Sequence, residues 1–298
     1  MNAMFYVDRQ CHSALKKLKP FSVKLNSFYK MTDAVNPLIT SGRKISQLKM
    51  LQDMYFNFFF KPLLHDSKLI FSINDECRSF CENTLLTTES RNKIKHLNHF
   101  VDYERLISLH QSATEPQKKC GLKFIFWGRI VKVKGLPLII DVIKSFSAKF
   151  PGCELTIIGD GEDRQSLEDY VAFHDLQKHI RFMGKMDIAD IAKYSNSADI
   201  FLMSSYSEGI PTAMLEAMVF GLPVVSTAVG GIPSLITPSV NGFLVESRDP
   251  DEFISAIEKA MGLDRTEVRQ YNEKLIQTQF SARSIIGRMD QLIKEAIR

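Results

Sequence analysis

The chain has 298 residues, of which 45% are hydrophobic and 24% charged, proportions that exclude a disordered, collagen-like or coiled-coil protein. A formal net charge of +4 is compatible with an acidic membrane surface or a phosphorylated ligand but is too small to indicate a nucleic acid partner. Since no apolar run could span a bilayer and the N-terminus lacks an apolar signal core, we predict a cytoplasmic protein.

The cysteines number five and show no paired C-x-x-C spacing. Such a pattern indicates free thiols in a reducing compartment. Cys77 and Cys81 could share one face of a helix, but no histidine or second cysteine pair completes a ligand set. The sequence therefore predicts no metal site.

Residues 1–64 are basic, rich in Lys and Phe, and patterned for helices rather than strands. Their most apolar piece, residues 55–62, leaves two interpretations open: contact with a membrane surface or partner, and packing in a core or interface. Downstream, residues 67–73 predict a buried strand, residues 75–83 a helix, and residues 94–100 a further short strand.

The domain organisation is predicted from a polar segment that follows. Residues 104–120 are poor in large apolar side chains and are interpreted as a linker. Residues 1–103 then form an N-terminal region with a hinge, residues 121–263 an α/β domain, and residues 264–298 C-terminal helices that pack back on the N-terminal region.

After the linker, short apolar strands alternate with helical segments. The predicted strands are residues 123–127, 154–158, 180–182, 200–203, 224–226 and 242–245. The predicted helices are residues 136–150, 164–173, 188–195, 212–220 and 250–261, and then 265–279 and 282–297 with no strand between them. This alternation predicts a doubly wound parallel sheet, a Rossmann-like α/β fold.

The segment 204–216 has the features of a ligand site. It follows a predicted buried strand and leads into a helix, and Pro211 suits the first helical position. In a parallel sheet such a turn lies where the strand ends, and the free amides of the helix favour an anion such as phosphate. Two carboxylates, Glu208 and Glu216, would not suit phosphate alone, so we predict a ligand that also presents hydroxyls.

Other turns follow strands at the same predicted edge. In the first, Gly128 and Gly135 allow the backbone to approach a ligand, while Arg129 and Lys134 supply positive charge. A solvated turn is the alternative interpretation for these two cations. Further Gly-containing turns at residues 159–162, 183–186 and 229–233 are weak signals one by one.

Together these motifs resemble the donor-nucleotide domain of the retaining glycosyltransferases of family 4, across residues 95–260. Two glutamates separated by seven residues, Glu208 and Glu216, are a signature of that family. The other matching segments are Gly128-Arg129, Lys134-Gly135, Gly159-Asp160-Gly161, Phe182-x-Gly184, Ala198-Asp199-Ile200-Phe201, Gly209-x-Pro211, Gly221-x-Pro223 and Val229-Gly230-Gly231-Ile232-Pro233. The resemblance implies a GT-B fold, of which this region is the C-terminal domain.

The resemblance also implies roles for individual residues. Arg129 and Lys134, beside Gly128, would bind the diphosphate of a nucleotide sugar and stabilise the leaving group. Glu208 would face the donor sugar and Glu216 would hold the ribose hydroxyls. The main chain of Gly209, Ile210, Pro211 and Thr212 would cap the phosphates or the sugar. A second turn, Gly184, Lys185 and Met186, would border the base. No metal or cofactor is implied, because a UDP- or GDP-linked donor is a substrate.

The N-terminal part departs from the family pattern. A family member begins with a complete Rossmann domain, whereas this chain is predicted to keep about its last third, mostly helical. His99-Phe100-Val101-Asp102 stands where the family has Asn-Gly-Val-Asp, and we interpret His96 and His99 as structural.

Two functions follow from the sequence. The first is transfer of a hexose, with retention, to a glycan or lipid-linked acceptor in bacterial surface polysaccharide synthesis, in the cytoplasm or peripherally at the inner membrane face. The second is a nucleotide-sugar-binding module without turnover of its own, whose site a partner chain would complete. A nucleotide-sugar epimerase of the same fold is a third interpretation.

Overall fold

The structure of the protein is a computed structural model that describes residues 4–5, 69–72, 78, 82–83, 91–113 and 121–297. The chain divides into two compact units, residues 1–98 with 286–298, and residues 99–285. In the described part of the chain, none of the helices combines the length and the apolarity that crossing a membrane requires.

The first unit contains a three-stranded parallel sheet in the order β1 (Met4–Phe5), β2 (Ile70–Ser72), β3 (Ile94–His96). Strands β2 and β3 confirm the two strands predicted here, although both are shorter. The prediction of helices alone across residues 1–64 is wrong at β1, because a two-residue strand is too short to show an alternating pattern. Residues 55–62 lie outside the described residues.

The second unit begins with helix α1 (Tyr103–Ser112), and α1 precedes a six-stranded sheet. The strands are β4 (Lys123–Trp127), β5 (Glu154–Ile158), β6 (Ile180–Phe182), β7 (Ile200–Met203), β8 (Val224–Thr227) and β9 (Gly242–Val245). The other helices of this unit are α2 (Leu136–Lys149), α3 (Arg164–Phe173), α4 (Ile188–Ser197), α5 (Thr212–Val219), α6 (Pro250–Ala260) and α7 (Arg265–Leu275). Helix α8 (Ala282–Ile297) begins in this unit and continues in the first from residue 286. Each strand and helix predicted between residues 123 and 261 is present, with bounds that differ by two residues or fewer.

The strand order of this sheet creates a crevice. The order is β6-β5-β4-β7-β8-β9, and every neighbouring pair is parallel. The chain moves outward from β4 to β6 and then returns to place β7 on the other side of β4. Ligands of such sheets bind outside the carboxyl ends of the strands at this point of reversal, so the turns after β4 and β7 frame the expected site.

The two faces of the sheet carry separate hydrophobic cores, as alternating strand side chains require. Phe124 and Phe126 pack in the core formed with α2, α3 and α6. Ile125 and Trp127 pack in the core formed with α1, α4 and α5. Helices on both faces of a parallel sheet confirm the predicted doubly wound α/β fold.

Helix α1 corrects the predicted linker. The linker prediction is wrong over residues 104–112, where the chain is helical, whereas residues 114–120 lie outside the described residues. Asp102 caps the helix by accepting a hydrogen bond from the Arg105 N–H at 3.2 Å. The few large apolar side chains, Tyr103 and Leu106 among them, lie on the face that packs against α4 and α5. Their position on one face, rather than their number, makes the segment structural.

Helix α7 differs from its predicted position. It was expected to pack back on the N-terminal region together with the rest of residues 264–298, yet it packs inside the second unit. Its buried Asn272 donates to the Leu222 carbonyl at 3.3 Å and accepts a hydrogen bond from Asn241 at 2.9 Å. Residues 286–298, by contrast, belong to the first unit. The remaining predicted domain boundaries stay predictions.

Candidate functional site

The turn after β4 places Lys134 at the crevice. A short 3-10 turn, Lys132–Lys134, ends at Gly135, which has a left-handed φ of 61°. A Cβ atom on Gly135 would lie 2.2 Å from the Ser204 carbonyl oxygen. Only glycine therefore suits this position, and its absent side chain lets the turn lie directly on the loop that follows β7.

Lys134 and Glu208 form an ion pair between these two segments. The Lys134 Nζ lies 2.6 Å from Glu208 Oε1, and the two side chains are 16% and 10% exposed. Ser205 Oγ donates to the same carboxylate oxygen at 2.5 Å. These two donors on one oxygen fix the orientation of the Glu208 side chain.

Glu216, on helix α5, is held by Trp127 at the end of β4. The Trp127 Nε1–H donates to Glu216 Oε2 at 2.8 Å. The indole is fixed in the core, since it is 3% exposed and packs edge-on against Phe201 with ring centroids 4.6 Å apart. Burial raises the pKa of Glu216 to about 6, although the Trp127 hydrogen bond and nearby His99 act in the opposite direction.

We expect Glu216→Gln to stabilise the ligand-free protein at neutral pH. A pKa of about 6 exceeds that of the unfolded chain, so the carboxyl favours folding while it is protonated. This contribution is lost as the pH rises through about 6. Above that pH the raised pKa corresponds to a loss of about 2 kcal/mol in the free energy of unfolding. The Gln side chain avoids this loss and keeps an acceptor for Trp127. Urea unfolding of the variant and the wild type at several pH values measures the difference.

The pH dependence separates this effect from a general gain in stability. The variant should differ little from the wild type near pH 4, and its advantage should grow toward pH 7. Glu246→Gln is the control, because Glu246 is exposed after β9 and should change stability by less than about 0.5 kcal/mol. An equal gain for Glu216→Gln at both pH values would contradict the prediction.

Helix α5 begins at the site. It starts at Thr212, and Pro211 occupies the N-cap position with φ of −73° and ψ of 119°, not the first helical position that was predicted. The extended backbone of Pro211 ends the loop before the helical turn starts. The first amides of a helix have no intrahelical acceptor, so the N-terminus of α5 favours an anion at this edge.

The loop after β8 supports the main chain of the Glu208 segment. The Gly231 N–H donates to the Gly209 carbonyl at 3.0 Å, and Thr227 Oγ1 donates to the Ser205 carbonyl at 2.8 Å. Gly230 has a left-handed φ of 56°, and a Cβ atom there would lie 1.7 Å from the Glu208 carbonyl oxygen. The position of Glu208 thus depends on close backbone packing between two loops.

Gly230→Ala is expected to destabilise the protein by at least about 2 kcal/mol, from the left-handed backbone and the clash together. Gly262→Ala is the matched control, because its Cβ would be at an ordinary 3.4 Å from the nearest atom. Chemical denaturation of both variants measures the difference. Equal stabilities would show that the two loops are not packed this closely.

The remaining candidate residues lie along the same edge. The turn after β5 packs directly on the turn after β4 at Gly159, because a Cβ atom on Gly159 would lie 1.8 Å from the Gly128 carbonyl oxygen. The Gly159 N–H then donates to the Gly184 carbonyl at 2.8 Å. Arg129 is exposed on the turn of Lys134, Lys185 is exposed after β6, and Met186 and Ile210 are partly buried at the edge of the core. The turns after β4, β5 and β6 therefore lie side by side.

Sequence reasoning missed the partners that orient the carboxylates. Ser205 lies in the segment predicted to bind a ligand, but no role was predicted for it. Trp127 was predicted only as the last residue of a strand. The position of the chain's single tryptophan at the last residue of β4 was a usable signal, because a buried indole N–H normally requires an acceptor.

Among the described residues, no three His, Cys, Asp or Glu side chains are grouped to hold a metal ion. Lys134, Arg129 and the first amides of α5 supply positive charge at the crevice. Two carboxylates stand beside these groups, one paired with a cation and one with an indole N–H. The combination suits a ligand with both phosphate and hydroxyl groups, bound at the switch point of a parallel α/β sheet.

The sequence matches the family described as Glycosyl transferases group 1 over residues 108–277, more than half of the chain. The protein therefore belongs to this family.

Relatives named for bacterial polysaccharide biosynthesis match about two thirds of the chain. The amylovoran biosynthesis glycosyltransferase AmsK of Erwinia amylovora is 30% identical over 229 residues, which cover 70% of this chain and 55% of AmsK. The lipopolysaccharide core biosynthesis glycosyltransferase LpsE of Rhizobium meliloti is 27% identical over 205 residues, 68% of this chain and 58% of LpsE. The chain thus spans about half the length of these curated relatives.

Solved glycosyltransferases share the fold. Sucrose-phosphate synthase from Thermosynechococcus elongatus superposes with a TM-score of 0.69 at 16% identity, covering 99% of this chain and 73% of that one. The pneumococcal O-GlcNAc transferase GtfA, solved with UDP and GlcNAc, gives 0.62 at 18% identity, covering 82% and 48%. At these identities the likeness shows the fold alone, that of GT-B glycosyltransferases.

Proposed function

We propose that this protein is a retaining family 4 glycosyltransferase that moves a hexose from a UDP- or GDP-linked donor to a glycan or lipid-linked acceptor. The observation that carries the proposal is the Lys134–Glu208 pair beside Glu216, at the crevice where α5 begins. The relatives named for amylovoran and lipopolysaccharide core biosynthesis support a role in bacterial surface polysaccharide synthesis.

In the proposed mechanism Lys134 exchanges partners. Its ammonium is paired with Glu208 in the structure. On donor binding it would move to the diphosphate, together with Arg129 and the α5 amides. These groups would stabilise the negative charge that develops on the leaving nucleoside diphosphate as the bond to the anomeric carbon breaks. No metal ion is needed for that role, so we expect a chelator to leave the rate unchanged.

The two carboxylates would hold different parts of the donor. Glu208, released from Lys134, would accept hydrogen bonds from sugar hydroxyls at the reacting face. Glu216 would accept from the ribose hydroxyls while the Trp127 N–H fixes its orientation. An ionised carboxylate accepts better than a protonated one, so donor binding should strengthen as the pH rises through the Glu216 pKa of about 6.

The location and partners are part of the same proposal. A lipid-linked acceptor would place the protein in the cytoplasm, at the inner face of the membrane. If the purified protein lacks the groups that bind the acceptor, a separate chain would supply them.

Donor turnover tests the proposal directly. The purified chain is incubated with UDP- and GDP-hexoses, with and without glycan and lipid-linked acceptors, and release of nucleoside diphosphate is followed. Proton NMR of the product gives the configuration at the anomeric carbon. Release from one donor class with retention is the expected result, and inversion would rule out the retaining mechanism.

A nucleotide-sugar-binding module without turnover is the second candidate. The contacts around Lys134, Glu208 and Glu216 all lie within one compact unit, residues 99–285. This unit would be able to bind a donor even if the chain does not catalyse transfer. Calorimetric titration that shows donor binding without product, with every acceptor tried, would favour the module. Transfer by the purified chain alone would contradict it.

A further inference from the structure

Arg248 lies outside every motif that the sequence singled out, yet it contacts the loop that carries Glu208. It follows β9 and is partly buried. Its Nη1 donates to the carbonyl oxygen of fully buried Ser204 at 3.0 Å. The guanidinium carbon also lies 3.7 Å from the ring centroid of Tyr206, a residue that is 55% exposed. Arg248 thus holds two residues of the loop just before Glu208.

The same guanidinium touches the turn that carries Lys134. A Cβ atom on Gly135 would lie 2.6 Å from Arg248 Nη2. Ser204 extends the contact, because its Oγ donates to the Gly135 carbonyl at 2.8 Å and to the Lys134 carbonyl at 3.2 Å. Arg248 therefore sits where the turn after β4 meets the loop after β7.

We propose that Arg248 is a positioning residue that holds the backbone of the turn carrying Lys134 against the backbone of the loop carrying Glu208. The inference rests on the function proposed above for these two residues. A planar guanidinium can donate to a carbonyl and stack on an aromatic ring at once, so one side chain restrains the loop at Ser204 and at Tyr206. Small displacements of groups at a reacting centre cost rate rather than binding.

A direct contact with the donor phosphates is the alternative role for this arginine. Loss of such a contact would weaken donor binding and raise KM. Loss of positioning would instead lower kcat with little change in KM, because Lys134 and Glu208 remain present but are less well placed. The two roles are therefore separable by steady-state kinetics.

The test compares Arg248→Met and Arg248→Lys with Arg265→Met. Arg265 is a matched control, since its Nη1 donates to the carbonyls of Ala198 and Asp199, at the other end of β7 from the site, at 3.1 and 3.0 Å. We expect Arg248→Met to lower kcat by about 10–100-fold with KM within about threefold. The Lys variant should recover part of the rate, and Arg265→Met should keep kcat.

A second measurement does not depend on turnover. Amide hydrogen exchange of the ligand-free protein should accelerate in peptides covering residues 132–135 and 204–209 in Arg248→Met, but not in Arg265→Met. If no donor is turned over by the wild type, the proposed function fails while this exchange result still decides the role of Arg248. Unchanged exchange in both peptides, or a raised KM with unchanged kcat, would overturn the inference.

Discussion

Glu208→Gln is expected to lower the rate of nucleoside diphosphate release by at least about 100-fold, the cost of removing one preorganised group at a reacting centre. The carboxylate accepts hydrogen bonds from Lys134 and Ser205, and Gln preserves the shape of the side chain but not its charge. Affinity for the free nucleoside diphosphate should stay the same or improve, because Lys134 loses its competing partner and a negative charge leaves the phosphate site. Initial rates and calorimetry measure the two effects.

Glu246→Gln again provides the control, since this exposed carboxylate follows β9 at the same edge of the sheet and should retain the wild-type rate. A lowered rate together with unchanged or improved affinity makes the prediction specific. Weaker binding of the nucleoside diphosphate in Glu208→Gln would mean that Glu208 supports the phosphate site, contrary to the proposed division of roles.

Lys134→Met is expected to weaken binding of the free nucleoside diphosphate by about 10–100-fold, which is the loss of affinity expected when a hydrogen bond to a charged group is removed. Turnover should fall by a larger factor, because the charge on the leaving group grows as the bond breaks. The neighbouring Lys132→Met is the matched control: Lys132 belongs to the same turn but is exposed. It should change affinity by less than about threefold.

The double variant Lys134→Met/Glu208→Gln tests the ion pair itself. Because the two side chains are in contact at 2.6 Å, their effects on stability should not add. Lys134→Met alone leaves a partly buried carboxylate without its cation, and the second substitution should restore part of the lost stability. Additive losses in urea unfolding would show that the two groups do not interact in the ligand-free protein.

Much of the second unit could be predicted from the sequence because local patterns specify it. Short apolar strands alternate with amphipathic helices, and their bounds were predicted within two residues between residues 123 and 261. The alternation also implies a parallel sheet, and a parallel sheet places the turns of Lys134, Gly184 and Glu208 at one edge. The candidate site could therefore be located without a structure.

Elements with weak local signals were missed or misplaced. Strand β1 is two residues long, too short for any periodic pattern. Helix α1 is polar enough to suggest a linker, and only its packing against α4 and α5 makes it part of the domain. The predicted packing partner of α7 was wrong. The buried hydrogen bond between Asn241 and Asn272 joins residues 31 positions apart, and no local sequence pattern encodes such a contact.

The order of strands and helices, and the kinds of side chain that follow each strand, depend on short-range periodicity and backbone preference and could therefore be predicted from the sequence. Which of those side chains meet depends on the folded chain. It pairs Glu208 with Lys134, 74 positions away, while Arg129 on the same turn is exposed. It also brings Trp127 to Glu216 and Arg248 to Ser204. These contacts arise because the strand order reverses, which sets β7 beside β4 and so places turns that are distant in sequence in contact.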